Sequence, residues 1–441
     1  MVFIVASFLL FHSVYADTLR KAILIGGSCE AGRPRNYNMY HNSLASQGKG
    51  LAKRGWEVSI QYGGPNERCT NFFNCSSRDP ERTSVDSLLK RSGLKTSSVF
   101  MNTENELLKQ LELEIKAAEA AKKDGKSYQL FLGINTHGAQ EVEGKEHEIC
   151  FSKPDGQNEF IPVSKLRPYL KRLKDLGAKV GVQDNSCYSG STVKHLGDLG
   201  CVITNQSSNR VTYNGGTEYS FLELLEKDSW FDMEEVFLKG IIWNKVANYG
   251  YFHSYIHLQP MISGFVETKN PADTMTKILS PENTNIVSGT SSPSDDLTIN
   301  RCEEVIQGMK NLQAFSEDIL PGLKEYWMQR RLEILKGETV KAPKELVKEI
   351  QIQLKEYNDL FQEYIKLSKE RNYSYQSSTV ERDESGILAN QIFDLWRIPF
   401  LNRIKDLKDN LNHNIALARA YDYMAQRDEK KISSECADFR F

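Results

Sequence analysis

Net charge is nearly absent from this chain. Its 441 residues carry 56 Lys and Arg against 58 Asp and Glu, a formal balance of −2. No basic cluster is dense enough to form an electrostatic footprint, so nucleic acid is not an expected partner. Long apolar runs are scarce too: past the amino terminus, none reaches the length of a membrane span. Metal-site patterns are missing as well. His253 and His257 have i, i+4 spacing. No Cys, Asp or Glu arrangement accompanies them, so neither zinc nor another cofactor is expected.

Basic residues are also lacking ahead of the apolar block at residues 2–15. The block ends in Val14-Tyr15-Ala16, with small or apolar residues at −3 and −1, and reads as a signal peptide cleaved after Ala16. A buried first strand is the competing reading. No cysteine stands at the cleavage site to take a lipid anchor. The expected location is secreted or periplasmic, in any case extracytoplasmic, with no membrane span once the signal is removed.

Glycine becomes rare after residue 300, since 25 of the 29 lie before it. Residues 281–298, rich in Ser, Thr, Asn, Asp and Pro, read as a linker at that change. The expected division is an α/β domain over 17–280, a linker over 281–300 and an all-α helical domain over 301–441. In the last part Val347, Ile350, Leu354, Tyr357, Phe361 and Tyr364 step by three and four, as one helical stripe does. Phe400, Ile404, Leu407, Leu411, Ile415 and Tyr421 make a second stripe after Pro399. Three or four helices in a bundle are expected.

In the first part, short apolar runs alternate with helical patterns. Strands are expected at 22–25, 56–62, 129–136, 179–183 and 201–204, and helices at 44–53, 107–123, 166–176 and 190–196. Residues 65–100 read as a polar excursion from the sheet. Ile149-Cys150-Phe151 and the turn Pro154-Asp155-Gly156 read as a hairpin. Helices at 218–226 and 232–246 and a strand-like 252–258 follow. This alternation implies a mostly parallel sheet sandwiched by helices, and such sheets bind ligands at the carboxyl ends of their strands.

Two residues stand at such ends. The run Gln129-Leu130-Phe131-Leu132-Gly133-Ile134-Asn135-Thr136 ends in His137-Gly138. The run Lys179-Val180-Gly181-Val182-Gln183 ends in Asp184-Asn185-Ser186-Cys187, where small residues open the next helix. Backbone N–H groups and the helix dipole there favour a thiolate. The His-Gly dipeptide alone says little, because about half an occurrence is expected by chance in this composition. A buried structural histidine and a buried structural cysteine are the bland readings. Together, 50 residues apart on neighbouring strands, the two make a His-Cys nucleophile pair, with the spacing of the caspase arrangement. His195, eight residues past Cys187, points away from the strand tips and reads as structural.

Eight cysteines are present. If Cys187 is the nucleophile, seven remain and not all of them pair. Cys69 with Cys75, and Cys302 with Cys436, are the expected bridges, although connectivity is not readable from spacing.

The block N-S-C-Y-S-G-S around Cys187 resembles the D-x-C-x-S-G pattern of metacaspases and bacterial relatives. The Gly26-Gly27-Ser28 turn followed by Asn36-Tyr37 and His41 is similar to the legumain branch of the same caspase-like superfamily of cysteine peptidases. The resemblance covers about residues 20–280. It implies an exported endopeptidase of caspase-like fold, acting on protein or peptide substrates through a thioester acyl-enzyme. In that mechanism Cys187 attacks, His137 moves the proton, and the N–H groups of Gly138 and Cys187 hold the oxyanion. It also implies a substrate pocket near Asp184 and Asn185, with Ser207 and Ser208 along the peptide groove. Asp184 in the pocket favours Arg or Lys at P1, and Asn185 there favours Asn. A legumain-like transpeptidase or ligase and a non-catalytic scaffold with a degenerate peptidase fold are the alternatives. The helical part is expected to inhibit the site until cleavage, or to dock a partner.

Overall fold

Apolar runs bounded by turn residues form the strands of one sheet, and the helical patterns between them cover its faces. The computed structural model describes residues 18–27, 35–62, 85–152, 158–206, 208, 216–242, 260–265 and 432–441, with short helical stretches between 348 and 359 and between 419 and 427. In chain order the main elements are β1 (Thr18–Gly27), α1 (Arg35–Lys53), β2 (Glu57–Tyr62), α2 (Val85–Ser92), β3 (Val99–Met101) and α3 (Glu104–Lys123). Then come β4 (Ser127–Thr136), β5 (Gly138–Ala139), β6 (Glu148–Ser152), β7 (Asn158–Pro162), α4 (Arg167–Asp175) and β8 (Lys179–Asp184). The series closes with α5 (Gly190–Leu196), β9 (Cys201–Thr204), α6 (Gly216–Glu226), α7 (Met233–Ile242) and β10 (Met261–Ile262).

Seven strands pair in the order β10-β9-β8-β4-β1-β2-β3. All pairings are parallel except that of β10 with β9. The chain winds from β1 out to β3 and then returns to β4 on the other side of β1. The order therefore reverses between β1 and β4, where open α/β sheets form their crevice. Strands β5, β6 and β7 make a separate antiparallel sheet.

The inner strands are apolar on both faces. Ile23, Ile25, Leu130, Leu132, Ile134 and Val182 share one core with the α3 stripe of Leu107, Leu111, Ile115, Ala118 and Ala121. Thr103 caps α3, its Oγ1 accepting the Glu106 N–H at 3.3 Å. On the other face Phe131 packs against Phe221 of α6, with ring centroids 5.2 Å apart. Gly177, at φ +88°, ends α4 in the left-handed conformation that a side chain would resist.

Three elements depart from the sequence expectations. Helix α1 begins at Arg35 rather than at residue 44, because its first turns carry polar and aromatic residues instead of an apolar period. The excursion over 65–100 includes α2 and the edge strand β3, which pairs with β2. Three residues show too little alternation to read as a strand. The expected strand-like 252–258 lies outside the described residues, and the antiparallel edge strand falls at Met261–Ile262. The signal peptide, the linker and His253 and His257 also lie outside them.

The largest correction concerns the final residues. One unit comprises residues 1–240, 259–265 and 432–441, and the other 241–258 and 266–431. The described residues of the second unit, such as 351–353 and 422–424, are helical. Segment 432–441, expected to end the helical domain, belongs instead to the α/β unit. Cys436 is disulfide-bonded to Cys201 of β9, not to Cys302, with a sequence separation of 235. Ring centroids place Phe441 at 4.9 Å from Phe221, 5.0 Å from Phe131 and 5.0 Å from Phe231. Gly181 of β8 makes room for Phe439, since a Cβ there would stand 2.6 Å from its ring. Backbone bonds fasten the segment: the Phe441 N–H donates to Phe231 O at 2.9 Å, and the Met233 N–H to Phe439 O at 3.1 Å.

Phe441 is fully buried, so Phe441→Ala is expected to lower stability by about 3–5 kcal/mol. A urea titration of the full chain checks this. A variant as stable as the parent would show that the segment is no part of this core.

Candidate active site

The site is built where β4 and β8 end side by side. Their parallel register runs from Gln129↔Lys179 to Ile134↔Asp184, an offset of 50 residues. The Asn185 N–H continues the ladder, donating to Ile134 O at 2.8 Å. His137 and Cys187 share that offset of 50, so each leaves its strand at the same level of one sheet edge. The expectation that their strands are neighbours is met by this pairing.

The two tips touch. A Cβ on Gly138 would lie 2.2 Å from the Cys187 carbonyl oxygen and 2.8 Å from Ser186 Oγ. Only glycine tolerates that approach, because a backbone carbonyl has no rotamer to yield. Gly138 faces Ile149 of β6, while the Cys150 N–H donates to His137 O at 3.0 Å. That pattern makes Gly138–Ile149 the non-hydrogen-bonded type of pair, so the Gly138 N–H points out of the ladder on the open side of β5.

Cys187 is half-buried and keeps its thiol, whereas Cys150, Cys201 and Cys436 are disulfide-bonded. Tyr188, directly after it, has φ +60° and is the one non-glycine in the left-handed region among the described residues. Backbone strain of this kind costs about 1–3 kcal/mol and persists where surrounding bonds over-determine the turn. Those bonds are present. Asp184 Oδ1 accepts the Ser186 N–H at 2.8 Å and Oδ2 accepts the Thr192 hydroxyl at 2.6 Å. The Gln206 N–H donates to Ser189 Oγ at 3.3 Å. His137 is half-buried, with the Tyr40 ring against its own at 5.5 Å, edge to face.

The pocket candidates separate here. Asp184, one of the two alternatives for the P1 pocket, is wholly buried with both oxygens engaged inside the turn. Its two oxygens hold the turn that carries Cys187. Asn185 is buried to 6 % exposure, and its Nδ2 donates to Asn135 Oδ1 at 2.8 Å. Asn135 Oδ1 also accepts from Gln47 Nε2 at 3.1 Å, which assigns the direction of the Asn185 amide. Asn185 Oδ1 is then a buried acceptor with no partner. Ser208 is exposed in a turn, and Ser207 lies outside the described residues.

Several site residues carried no signal in the sequence. Ser43 and Gln47 of α1 join Asn135 and Asn185 in one buried polar network. Asn205, at the end of β9, caps α6 by accepting the Thr217 N–H at 3.0 Å and the Glu218 N–H at 3.3 Å. Burial pushes the Glu218 carboxyl above the usual range, against a hydrogen bond with Ser43 that lowers it. His147 meets Asp184 at 3.5 Å, both side chains wholly buried. Burial disfavours its charged form, but the hydrogen bond and charge of Asp184, with the Ala139 carbonyl, outweigh that and raise its pKa. These residues are far apart in sequence and show no period, so only the fold assembles them. His195 stands 3.6 Å from Glu141, an ion-pair rather than a hydrogen-bond distance.

Among the described residues, no group of three His, Cys, Asp or Glu side chains is arranged to hold a metal ion. No described helix is long and apolar enough to cross a membrane. Compared with known proteins, the chain matches no family model and no curated protein.

Gly138→Ala tests the contact between the two strand tips. Overpacking is expected to cost about 1–3 kcal/mol in a urea titration and to change the alkylation rate of Cys187 at neutral pH. An unchanged rate and stability would mean that the two backbones do not meet.

Proposed function

We propose that this chain is an exported cysteine endopeptidase of caspase-like architecture, with His137 and Cys187 as its dyad. The observation that carries the reading is the contact of Gly138 with the Cys187 carbonyl at the shared end of β4 and β8. It brings a histidine, a thiol and an outward backbone N–H to one edge. Cys187 Sγ attacks the scissile carbonyl, its proton passing to His137. The oxyanion is held by the Gly138 and Cys187 N–H groups. The C–N bond then breaks, the amine leaves with the proton from His137, and water resolves the thioester. An amine in place of that water gives the transpeptidase variant.

Support for the P1 contact moves from Asp184 to Asn185. The unpartnered Asn185 Oδ1 favours a side chain that brings N–H donors, which Asn, Lys and Arg all do. Disulfides such as Cys201–Cys436 agree with an oxidising compartment. If the helical unit caps the site, a cut in 281–298 leaves segment 432–441 attached through that bridge.

The test is a positional-scanning peptide library with the full chain, before and after cleavage at a protease site inserted in 281–298. Cleavage after Asn, Lys or Arg is expected, to vanish in Cys187→Ala and to fall about 10²–10⁴-fold in His137→Ala. No cleavage in either form, and no adduct of Cys187 with peptidyl ketones bearing those P1 residues, would sink the peptidase.

A further inference from the structure

We propose that His147 is a positioning residue that clamps the His137–Gly138 edge to the Cys187 turn, an inference that rests on the peptidase reading above. The imidazole touches both sides of the site and is wholly buried between them. Its Nδ1 lies 2.8 Å from Ala139 O, so the Nδ1–H donates to the residue beside Gly138. Its Nε2 lies 3.5 Å from Asp184 Oδ2 and 3.5 Å from Ser186 Oγ, one residue before the nucleophile. The ring edge fills the space beside Gly138, where a Cβ would meet His147 Cε1 at 2.9 Å. The His147 carbonyl accepts the Val163 N–H at 3.0 Å, which ties the ring to the antiparallel sheet at its back.

One side chain thus sets the separation of the two strand tips. Asp184 passes the restraint on, because it also binds the Ser186 N–H and the Thr192 hydroxyl. A buried His–Asp pair is a costly way to stabilise a fold, since apolar residues of like volume often serve as well. It fits a turn whose geometry must be held against the strain at Tyr188. The charged groups facing the ring are Asp184 from β8 and Glu141 from the connection after β5, and both favour the imidazolium. Because the folded pKa is raised, the stability that the charged His147–Asp184 pair adds to the clamp is fully present below the ordinary histidine pKa. It is lost as pH rises through the raised value.

The experiment follows alkylation of Cys187 by iodoacetamide against pH in the full chain, read at that residue by peptide mass spectrometry, beside peptide cleavage. His147→Gln is expected to displace the alkylation profile along the pH axis. It is also expected to lower kcat by about 10²-fold, as a misplacement of about 1 Å does, with KM within about twofold of the parent. If His147→Gln does not fold, Thr192→Val removes one bond to Asp184 and is expected to move both readouts the same way, by about threefold. An unchanged profile in the folded variant overturns the positioning role even where peptides are cleaved. A displaced profile in a chain that cleaves no peptide before or after a cut in 281–298, and whose Cys187 takes no peptidyl ketone, leaves the clamp standing and removes the peptidase reading.

Discussion

The pairing of β4 with β8 is the constraint on which the site depends. Both strands are interior and apolar on each face, so a slip of one residue would turn Leu130, Leu132 and Ile134 out of their core and Phe131 and Gly133 into it. The register is therefore held by the packing of whole faces. Its offset then carries over to the residues just past the strand ends, His137 and Cys187. No side chain has to reach for another to bring them together. The sheet does it, and Gly138 permits the final approach by having no Cβ.

Around those tips the structure accepts a concentration of polar groups that a stable core would otherwise avoid. Asn135, Asn185, Gln47, Asp184 and His147 are all buried. A buried polar group without a hydrogen bond costs roughly 1–3 kcal/mol by mutational measure, and nearly every one here is bonded. The exception, Asn185 Oδ1, lies two residues from the thiol. Satisfied networks of this kind rigidify what they surround. The left-handed Tyr188 shows what that rigidity holds in place.

The opposite face of the sheet is closed from an unexpected quarter. Segment 432–441, which follows the second unit in the sequence, lays Phe439 and Phe441 among Trp56, Phe131, Phe221 and Phe231. A loop of 235 residues closed by Cys201–Cys436 stabilises by on the order of 5 kcal/mol in the chain-entropy picture. The covalent link and the aromatic contacts act at the same place. They make the α/β unit discontinuous in sequence, and any cut between its parts leaves them joined.

Much of this was legible from local chemistry. Apolar runs of strand length, helical periods such as Leu107 to Ala121 and glycine stops such as Gly177 are set by residues near one another in the chain. The same holds for the chemistry of a histidine and a cysteine at strand tips. The sequence by itself determined the α/β architecture, its parallel winding and the placing of His137 and Cys187 at the ends of neighbouring strands. The tertiary structure alone decided the rest. Asp184 and Asn185 are adjacent carboxylate and amide in the sequence, yet one turns into Thr192 and Ser186 while the other keeps a buried acceptor without a partner. His147 sits in a loop-like stretch with no pattern to mark it. Cys436 and the closing phenylalanines look like the end of a helical domain until they meet β8 and β9. Such partners lie tens to hundreds of residues away, and contacts over those separations leave no period in the chain. They exist only once the sheet has formed and the hydrophobic faces have chosen what covers them.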